Sequence, residues 1–364
     1  MLWPHTIGFL TFQPHSSKVF QTTPKGWIPA DGDTLTTKEG LMFNVFGYEH
    51  PTGRVFAFLK YIPAKLKALF HIRYLENTWS FRRQKLFRAE KLYTAQNYQT
   101  FLETFRRGFP DYVYFCPFRG KEVISAPLSS VKQVFVPREC LHRLTRLRSR
   151  DSLQNMTLDL VSLLSTRSGI RLEDFGVHGS IALEMHTSKS DIDLVVYGAQ
   201  NFRKLEKTIN RLVEASTLSY KSSNRLDEAR RHKGKYLNKV FMYNAIRKPE
   251  EINSKYGALK YAPLAPVKFE CKIKDDSEAM FRPAIYKIEE YKPANAASIL
   301  TEDKVPKLVV SMIGCYRNIA RKGDAIRVSG MLEQVESLET GHIFHQVVVG
   351  TGTNEEEHIW PLSG

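Results

Sequence analysis

The sequence lacks the patterns that mark several common classes of protein. Its 364 residues include four cysteines, Cys116, Cys140, Cys271 and Cys315, and no two of them form a Cys-x-x-Cys pair. This spacing argues against a disulfide framework and against a zinc ribbon, so we expect a cytoplasmic location. There is no internal repeat or low-complexity tract, and 42% of the residues are hydrophobic, which is enough for a folded core.

Long apolar runs are also missing. No run approaches the roughly 20 residues that a helix needs to cross a bilayer, so we expect no membrane partner. The segment Met1–Leu10 has no basic residue before its short apolar stretch, which argues against a secretory signal. A chain of this length fits two or three domains.

Positive charge is abundant and unevenly distributed. Lysine and arginine total 53 against 38 acidic residues, a net charge of +15. Residues 51–150 hold 20 basic and 6 acidic side chains, residues 201–250 hold 13 and 5, and residues 301–364 hold 6 and 9. Clustered positive charge favours a nucleic-acid partner, RNA above all, bound through residues 51–150 and 201–250. A basic surface without any such partner is the alternative.

Arginines alternate with aromatic residues in the first basic block. The runs Phe81-Arg82-Arg83, Phe87-Arg88 and Phe105-Arg106-Arg107 have the composition of surfaces that stack bases and pair with phosphates. The same runs could be amphipathic helices with phenylalanine inward and arginine outward. The sequence leaves both interpretations open.

Turn residues and hydrophobic periodicity divide the chain into three regions. We predict an α+β fold: a basic region with β-structure over 1–137, a core of mixed sheet and helices over 138–290, and a small β-rich domain over 291–364. The third region has short β-type runs and could form a barrel of the oligonucleotide-binding type. Shorter predictions are a hairpin of Leu41–Tyr48 with Val55–Tyr61, a helix Leu153–Leu164 ending near Gly169, and a helix capped by Asn201.

Two aspartates stand out in the central region. Asp191 and Asp193 flank Ile192 at the start of an apolar run, so on a strand both carboxylates project from one face. Two carboxylates about 6 to 7 Å apart repel by roughly 2 to 3 kcal/mol at an effective dielectric near 20. A divalent cation between them, Mg²⁺ or Mn²⁺, would remove that repulsion and would also bind phosphate oxygens.

A Gly-Ser pair precedes the aspartates. Gly179 lets the backbone approach a phosphate because it has no Cβ, and Ser180 adds a hydroxyl beside the exposed backbone amides. A helix that begins near Ile181 would direct its positive end toward the same phosphates. His178 and His186 flank this turn, but no third ligand stands at the spacing of a zinc site.

These motifs together resemble the catalytic core of the DNA polymerase β superfamily of nucleotidyltransferases. Gly179, Ser180, Asp191 and Asp193 match its strand, Gly-Ser, strand and Asp-x-Asp pattern, and Ser190 before the first aspartate is usual there. The resemblance covers about residues 150–275, and the flanks resemble those of poorly characterised archaeal relatives. It implies that Gly179, Ser180 and Ser190 bind the nucleoside triphosphate. Ile181-Ala-Leu-Glu184 replaces the small or basic run of many members, which leaves the acceptor class open.

The superfamily has a third carboxylate on a later strand. Val267–Ile273 alternates apolar and polar residues, and Glu270 is the acid on its polar side. We therefore predict that Glu270 completes the metal site with Asp191 and Asp193. An ordinary surface glutamate paired with lysines is the alternative. Weaker candidates for the third acid are Asp174, Glu184, Asp227 and Asp275.

The resulting prediction is a metal-dependent nucleotidyltransferase. An acceptor hydroxyl, of RNA or tRNA in preference to a small metabolite, attacks the α-phosphate of a nucleoside triphosphate, and pyrophosphate leaves. Two alternatives use the same core without turnover. One is an inactive nucleic-acid-binding protein, and the other is a regulator that senses nucleoside triphosphate.

Overall fold

The computed structural model describes residues 26–362, and the expectation for Met1–Leu10 lies outside that range. Within it the chain forms three sheets, one after another along the sequence, with helices on the first two. This confirms the predicted α+β class. No helix in residues 26–362 combines the length and the apolar character that crossing a membrane requires.

The N-terminal unit is an eight-stranded sheet covered by one long helix. Its strands follow the order β4-β5-β3-β2-β1-β8, and β7 joins β3 to β6. The helix α1 (Ala95–Gly108) buries Phe101, Leu102 and Phe105 and leaves Arg106 and Arg107 exposed. The strands are β1 (Thr34–Thr37), β2 (Met42–Val45), β3 (Arg54–Pro63), β4 (Trp79–Phe81), β5 (Gln84–Phe87), β6 (Val113–Cys116), β7 (Lys121–Pro127) and β8 (Val131–Phe135).

Two of the sequence predictions for this unit can be compared with the structure. The predicted hairpin is confirmed, because β2 and β3 pair antiparallel. For the run Phe105-Arg106-Arg107, α1 fits the amphipathic interpretation, with the ring inward and the arginines outward. The run Phe81-Arg82-Arg83 is different. Arg82 and Arg83 form the two-residue turn between β4 and β5, and both have positive φ angles, 48° and 69°.

The central unit is a five-stranded sheet with four helices packed in its core, while a fifth, α6, packs against the core of the C-terminal unit. The strand order is β11-β12-β13-β10-β9, in which β10 and β13 are parallel and β9 and β10 antiparallel. Its helices are α2 (Pro137–Thr145), α3 (Ser152–Ser168), α4 (Gly179–Ala182), α5 (Ala199–Glu214) and α6 (Arg225–Arg230). Its strands are β9 (Phe175–Val177), β10 (Ile192–Tyr197), β11 (Ser219–Tyr220), β12 (Lys233–Tyr236) and β13 (Lys239–Ile246).

The helix ends in this unit show how local signals fix the chain. Asp151 and Gln154 form a reciprocal capping box at the start of α3, and Gly169 ends that helix with a left-handed φ of 70°. This confirms the predicted helix and its end. The predicted cap at Asn201 is wrong, because α5 begins at Ala199 after Gly198. Asn201 instead donates hydrogen bonds to Asp174 and to the Tyr197 carbonyl.

The C-terminal unit is a sheet that closes on itself. Its strands are β14 (Leu259–Glu278), β15 (Ala284–Pro293), β16 (Leu308–Ser311), β17 (Ala325–Ser337), β18 (Ile343–Val349) and β19 (His358–Pro361). They follow the order β14-β15-β16-β18-β17, and β17 also pairs with β14, which completes a ring of five strands. The sixth strand, β19, pairs with the first part of β17, before the part that pairs with β18. This is a small Greek-key barrel, the architecture of the oligonucleotide-binding fold.

The strand order moves one predicted boundary. The change from the first to the second sheet falls between Phe135 and Pro137, next to the predicted boundary at 137 and 138. The third unit, however, starts at Leu259 and not at residue 291, because β14 and β15 are two of the five strands of the ring. Pro293 ends β15 inside this unit, so the small residues after it are not the predicted domain edge.

The units share buried contacts. The core of the central unit includes Met42, Leu86 and Phe135 from the N-terminal unit, and Met280 and Phe281 from the C-terminal unit. Trp79 and Phe81 of β4 also pack against this core, where the ring of Phe81 contacts that of Phe135. The hairpin with its Arg82–Arg83 turn therefore lies against the central unit.

The Arg82–Arg83 turn gives a first prediction. Side chains with a Cβ are disfavoured at positive φ, whereas Asn-Gly is the preferred pair for such a hairpin turn. Replacing Arg82→Asn together with Arg83→Gly should raise the free energy of unfolding by about 1 kcal/mol, measured by urea titration. The control variant Arg82→Lys with Arg83→Lys retains charge and backbone strain and should match the wild type. Equal stability of all three proteins would contradict the strained turn.

Candidate functional site

The two aspartates lie at the start of β10, on the side of the sheet that carries no helices. Asp193 is the second residue of β10, and Asp191 immediately precedes the strand. Ile192, Leu194 and Val196 alternate with them and are buried in the core under the helices. Asp191 is exposed and Asp193 is half-buried. The structure therefore brings both carboxylates to one face, as alternation along a strand requires.

Gly179 packs directly against Asp193. It begins α4 with a positive φ of 65°, and a Cβ atom at this position would overlap Oδ2 of Asp193. The backbone amide of His178 donates to the Asp193 carbonyl at 2.9 Å, which fixes the distance between the two segments. Glycine is required here for two reasons, its backbone conformation and the closeness of the carboxylate.

The two serines lie on either side of this contact. Ser180 is half-buried and is the second residue of α4, next to Gly179. Ser190 closes the turn that leads into β10: its amide donates to the Thr187 carbonyl at 3.0 Å, and its Oγ accepts from the Thr187 amide at 3.0 Å. The structure thus gives Ser190 a definite part in shaping the chain before Asp191.

Two cations of the N-terminal unit face the aspartates. Burial raises the pKa of Asp193, and the negative charge of Asp191 raises it further, while the positive charges of Lys60 and Arg88 act in the opposite direction. Burial lowers the pKa of Lys60 to about 8, against the attraction of Asp193. Lys60 lies on β3 and Arg88 directly follows β5. Acidic groups of the central unit therefore lie near basic groups of the N-terminal unit.

His178 is a half-buried neighbour of the site. Burial lowers its pKa well below the usual range, and the positive charges of Lys60, Arg282 and Arg317 lower it further. Its Nε2 lies 3.5 Å from the Thr34 hydroxyl. His186 is paired elsewhere, with Asp151 at 2.7 Å. Across the described residues 26–362 there is no cluster of three histidine, cysteine or acidic side chains able to hold a metal ion.

Glu270 does not join the aspartates, and the prediction that it lies on an adjoining strand is wrong. Its strand, β14, pairs with β15 and β17 in the C-terminal ring, not with β10 or β13. The Glu270 side chain is 39% exposed and forms an ion pair with Arg327 at 2.8 Å. The alternation of Val267–Ile273 was identified correctly, but it reports which side of a strand is buried and not which sheet the strand belongs to.

The two strands that adjoin β10 offer no third acid on this face. β9 (Phe175–Val177) carries no acidic residue. On β13, Asp193 is in register with Met242, and the residues on the same side are Val240, Met242, Asn244 and Ile246. The weaker candidates have partners in other places. Asp174 binds Lys248 and lies near Arg138, Glu184 pairs with Arg143, Asp227 with Lys233, and Asp275 with Lys287. The geometry offers a divalent cation two carboxylates at this face.

A cavity of about 720 Å³ lies between the three units, on the side of β13 that carries Met242 and Asn244. Met242 and Asn244 form part of its floor, so its wall includes the residue in register with Asp193. Phe58, Tyr93 and Tyr98 come from the N-terminal unit, and Arg230, Tyr316 and Arg317 complete a wall on the other side. Its one partial signal in the sequence is the set of tyrosines among the basic residues of the first block. The arginines come from distant segments and carried no motif.

A buried ion cluster adjoins this cavity. Asp31 is 2% exposed and lies 3.3 Å from Nη1 of Arg282 and 3.8 Å from Nη1 of Arg317. Nη2 of Arg317 donates to Oδ1 of Asn244 on β13 at 2.7 Å. Burial, with the repulsion of Arg282, lowers the pKa of Arg317 to about 9. Positive charge is therefore concentrated at this junction.

Comparison with known proteins adds little about activity. The chain is 26% identical over 340 residues to an uncharacterized protein of Methanocaldococcus jannaschii, a match that covers 88% of this chain and 94% of that protein. No protein-family model matches the chain, and no solved structure matches it. The similarity therefore extends across the segments that form all three units.

The contact between Gly179 and Asp193 gives a second prediction. Gly179→Ala should cost about 2 to 4 kcal/mol of stability, since it combines a disfavoured φ with an overlap, and should abolish Mn²⁺ binding by displacing Asp193. Gly169→Ala is the matched control: φ is 70° there, but a Cβ would meet no atom within 4 Å. It should cost about 1 kcal/mol. Chemical denaturation measures the stability of each variant, and Mn²⁺ titration measures its metal affinity. Equal losses of stability in the two variants would contradict the close contact between Gly179 and Asp193.

Proposed function

We propose that this protein is a metal-dependent nucleotidyltransferase that transfers a nucleotidyl group from a nucleoside triphosphate to an acceptor hydroxyl. The observation that carries the proposal is the pair Asp191 and Asp193 at the start of β10, with the Gly179 backbone packed against Asp193 so closely that no side chain fits. The resemblance to the polymerase β superfamily implies this arrangement, a Gly-Ser turn next to the strand that carries the two aspartates. The match in Gly179, Ser180, Asp191 and Asp193 agrees with it.

The residues around the two aspartates each have a role in the proposed reaction. Asp191 and Asp193 would hold a divalent cation, Mg²⁺ or Mn²⁺, which would neutralise phosphate charge and acidify the attacking hydroxyl. Gly179 and Ser180 would place backbone amides and a hydroxyl against the terminal phosphates. Lys60 and Arg88, whose positive charges act on Asp193 from the N-terminal unit, would balance the charge of the phosphates and of the departing pyrophosphate. Ser190 would keep the turn before Asp191 in place.

RNA is the acceptor that the charge distribution favours. Arg82 and Arg83 are exposed at a turn whose conformation suits neither residue, and strain retained in this way often accompanies a function. Their hairpin packs against the central unit, and Arg88, which follows β5, faces Asp193. RNA bound along this edge would therefore run past the aspartates.

The four cysteines are free thiols, which fits the reducing cytoplasm.

A second candidate is a nucleotide-binding regulator that does not turn over its ligand. The observation that favours it is Met242, which stands in register with Asp193 where a third carboxylate would otherwise complete the metal site. Lys60 adds to the case, since a cation beside Asp193 reduces the attraction for metal ions. On this alternative the triphosphate would bind with a single cation and remain intact.

Replacement of the aspartates separates binding from turnover. Asp191→Asn and Asp193→Asn should each abolish transfer of label from radiolabelled nucleoside triphosphate to total cellular RNA. Without metal Asp191→Asn should be at least as stable as wild type, because one of two repelling charges is gone. Asp193→Asn should be so too, because burial, the leading cause of the raised pKa of Asp193, disfavours its ionised carboxylate. Mg²⁺ with nucleoside triphosphate should raise the melting temperature of wild type much more than that of either variant.

Glu270→Gln is the matched control for these variants. It also converts a carboxylate on a strand into an amide, and its ion pair with Arg327 is exposed, so it should cost less than about 1 kcal/mol and leave transfer unchanged. Label transfer that persists in the aspartate variants would refute the proposed site. A ligand-induced stabilisation that depends on the aspartates, without any label transfer by wild type, would favour the regulator.

RNA binding makes a separate prediction for the hairpin turn. Log affinity for RNA should fall linearly with log salt concentration, and each lost phosphate contact reduces the slope by about 0.7 to 0.9. Arg82→Gln with Arg83→Gln should flatten the slope by up to about 2 units. Arg106→Gln with Arg107→Gln is the control, because Arg106 is paired with Glu122 on the outer face of α1. Equal slopes for wild type and the hairpin variant would remove the turn from the RNA path.

A further inference from the structure

The cavity between the three units has an aromatic wall and a cationic wall. On the aromatic wall the rings of Phe58 and Tyr93 lie 4.9 Å apart, and those of Phe58 and Tyr98 6.3 Å apart and stacked. Phe46 extends this wall, with its ring 5.5 Å from Phe58. Aromatic surfaces of this kind bind nucleobases by stacking, with little preference among the bases.

The cationic wall carries more positive charge than its neighbours balance. Arg230 and Arg317 line the cavity, and Arg282 adjoins Arg317 through their shared partner Asp31; all three arginines are less than a tenth exposed. Within residues 26–362, Asp31 is the carboxylate at ion-pair distance from Arg282 and Arg317, and Arg230 donates to neutral partners, the Arg317 carbonyl and Nδ1 of His232. The buried Nε atoms of Arg282 and Arg317 have no hydrogen-bond partner in that range.

Buried guanidinium groups without a full set of partners are costly. An anionic ligand would remove this cost, and a phosphate group suits it, because guanidinium groups bind phosphate oxygens through paired hydrogen bonds. The acids that line the cavity are already engaged. Glu333 accepts from Gln346 at 3.1 Å, Glu355 from the Gln96 amide at 2.9 Å, and Glu357 from the amides of Gly350 and Thr351.

The two walls meet, and the floor contains Met242, the neighbour of Asp193 on the adjoining strand. The guanidinium of Arg282 lies 4.3 Å from the centre of the Phe46 ring, so a phosphate near the arginines would have an aromatic surface beside it. Met242 of the floor is in register with Asp193, and neighbouring strands are about 4.8 Å apart. The volume, about 720 Å³, lies within the usual range for ligand sites.

We propose that this cavity binds a nucleotide unit, with its base on the wall of Phe58, Tyr93 and Tyr98 and its phosphate on Arg230 and Arg317. The unit is either the terminal nucleotide of an RNA chain or a free mononucleotide, which share this chemistry. Its position beside Met242 makes it the acceptor site, with the sugar hydroxyl directed toward the aspartates. The acceptor assignment rests on the proposed function, whereas the binding of a nucleotide does not.

Equilibrium binding without divalent metal tests the cavity separately from the aspartates. Wild-type protein in EDTA is titrated with radiolabelled AMP, then with a short RNA oligonucleotide as competitor. Tyr93→Leu removes a stacking surface and should weaken AMP binding about tenfold. Arg317→Gln removes a charged donor and should weaken it by a similar factor or more. Asp193→Asn should bind AMP as wild type does.

Arg247→Gln is the matched control for Arg317→Gln. Arg247 is also a buried arginine, paired with Glu278 between two units, but it does not line the cavity. A melting curve checks the folding of each variant, and Tyr93→Leu serves as the test if Arg317→Gln does not fold. Unlike Arg317→Gln, the Arg247 variant should retain AMP affinity wherever it remains folded.

The outcomes are distinct. Displacement of AMP by the oligonucleotide supports the end of an RNA chain as the ligand, and AMP binding without displacement supports a free mononucleotide. The absence of AMP and oligonucleotide binding by folded wild type, or binding that neither Tyr93→Leu nor Arg317→Gln weakens, would overturn the proposal. AMP binding that depends on Tyr93 and Arg317, in a protein that transfers no label, would retain this site and reject the transfer reaction.

Discussion

Asp31 occupies a position where all three units meet. Its carboxylate comes from the N-terminal unit, Arg282 and Arg317 come from the C-terminal unit, and Arg317 continues to Asn244 on the central sheet. Removing the acid would leave two buried guanidinium groups without their counter-charge, a change that typically costs 3 to 5 kcal/mol. This contact therefore ties the three units together at one buried point, next to Arg317 of the cavity wall.

The elements that short-range patterns encode could be predicted from the sequence. The capping residues of α3, the hairpin of β2 and β3, and the alternation along β14 each depend on neighbours in the chain, so local propensities determined them. The assignment of β14 to a sheet could not be predicted, because its partner β17 lies far along the sequence. A strand's alternation is the same in either sheet, which explains the misplaced boundary at 291 and the misplaced Glu270.

The candidate site divides in the same way. Asp191, Asp193, Gly179 and Ser190 lie within 15 positions of one another and form a motif, so the sequence could bring them together. Lys60 and Arg88 reach Asp193 from another unit, and the tertiary fold alone places them there. The same holds for the cavity arginines. Whether the aspartates bind metal and move a nucleotidyl group remains a prediction.

The cavity is assembled from segments between Phe46 and Glu357, and none of the three units could form it alone. Any molecule seated there would contact every unit at once, so its binding free energy would also act as cohesion between them. Occupancy and the cooperativity of unfolding would then be thermodynamically linked. The protein would unfold as one body when the cavity is filled, and its units would be freer to separate in sequence when the cavity is vacant.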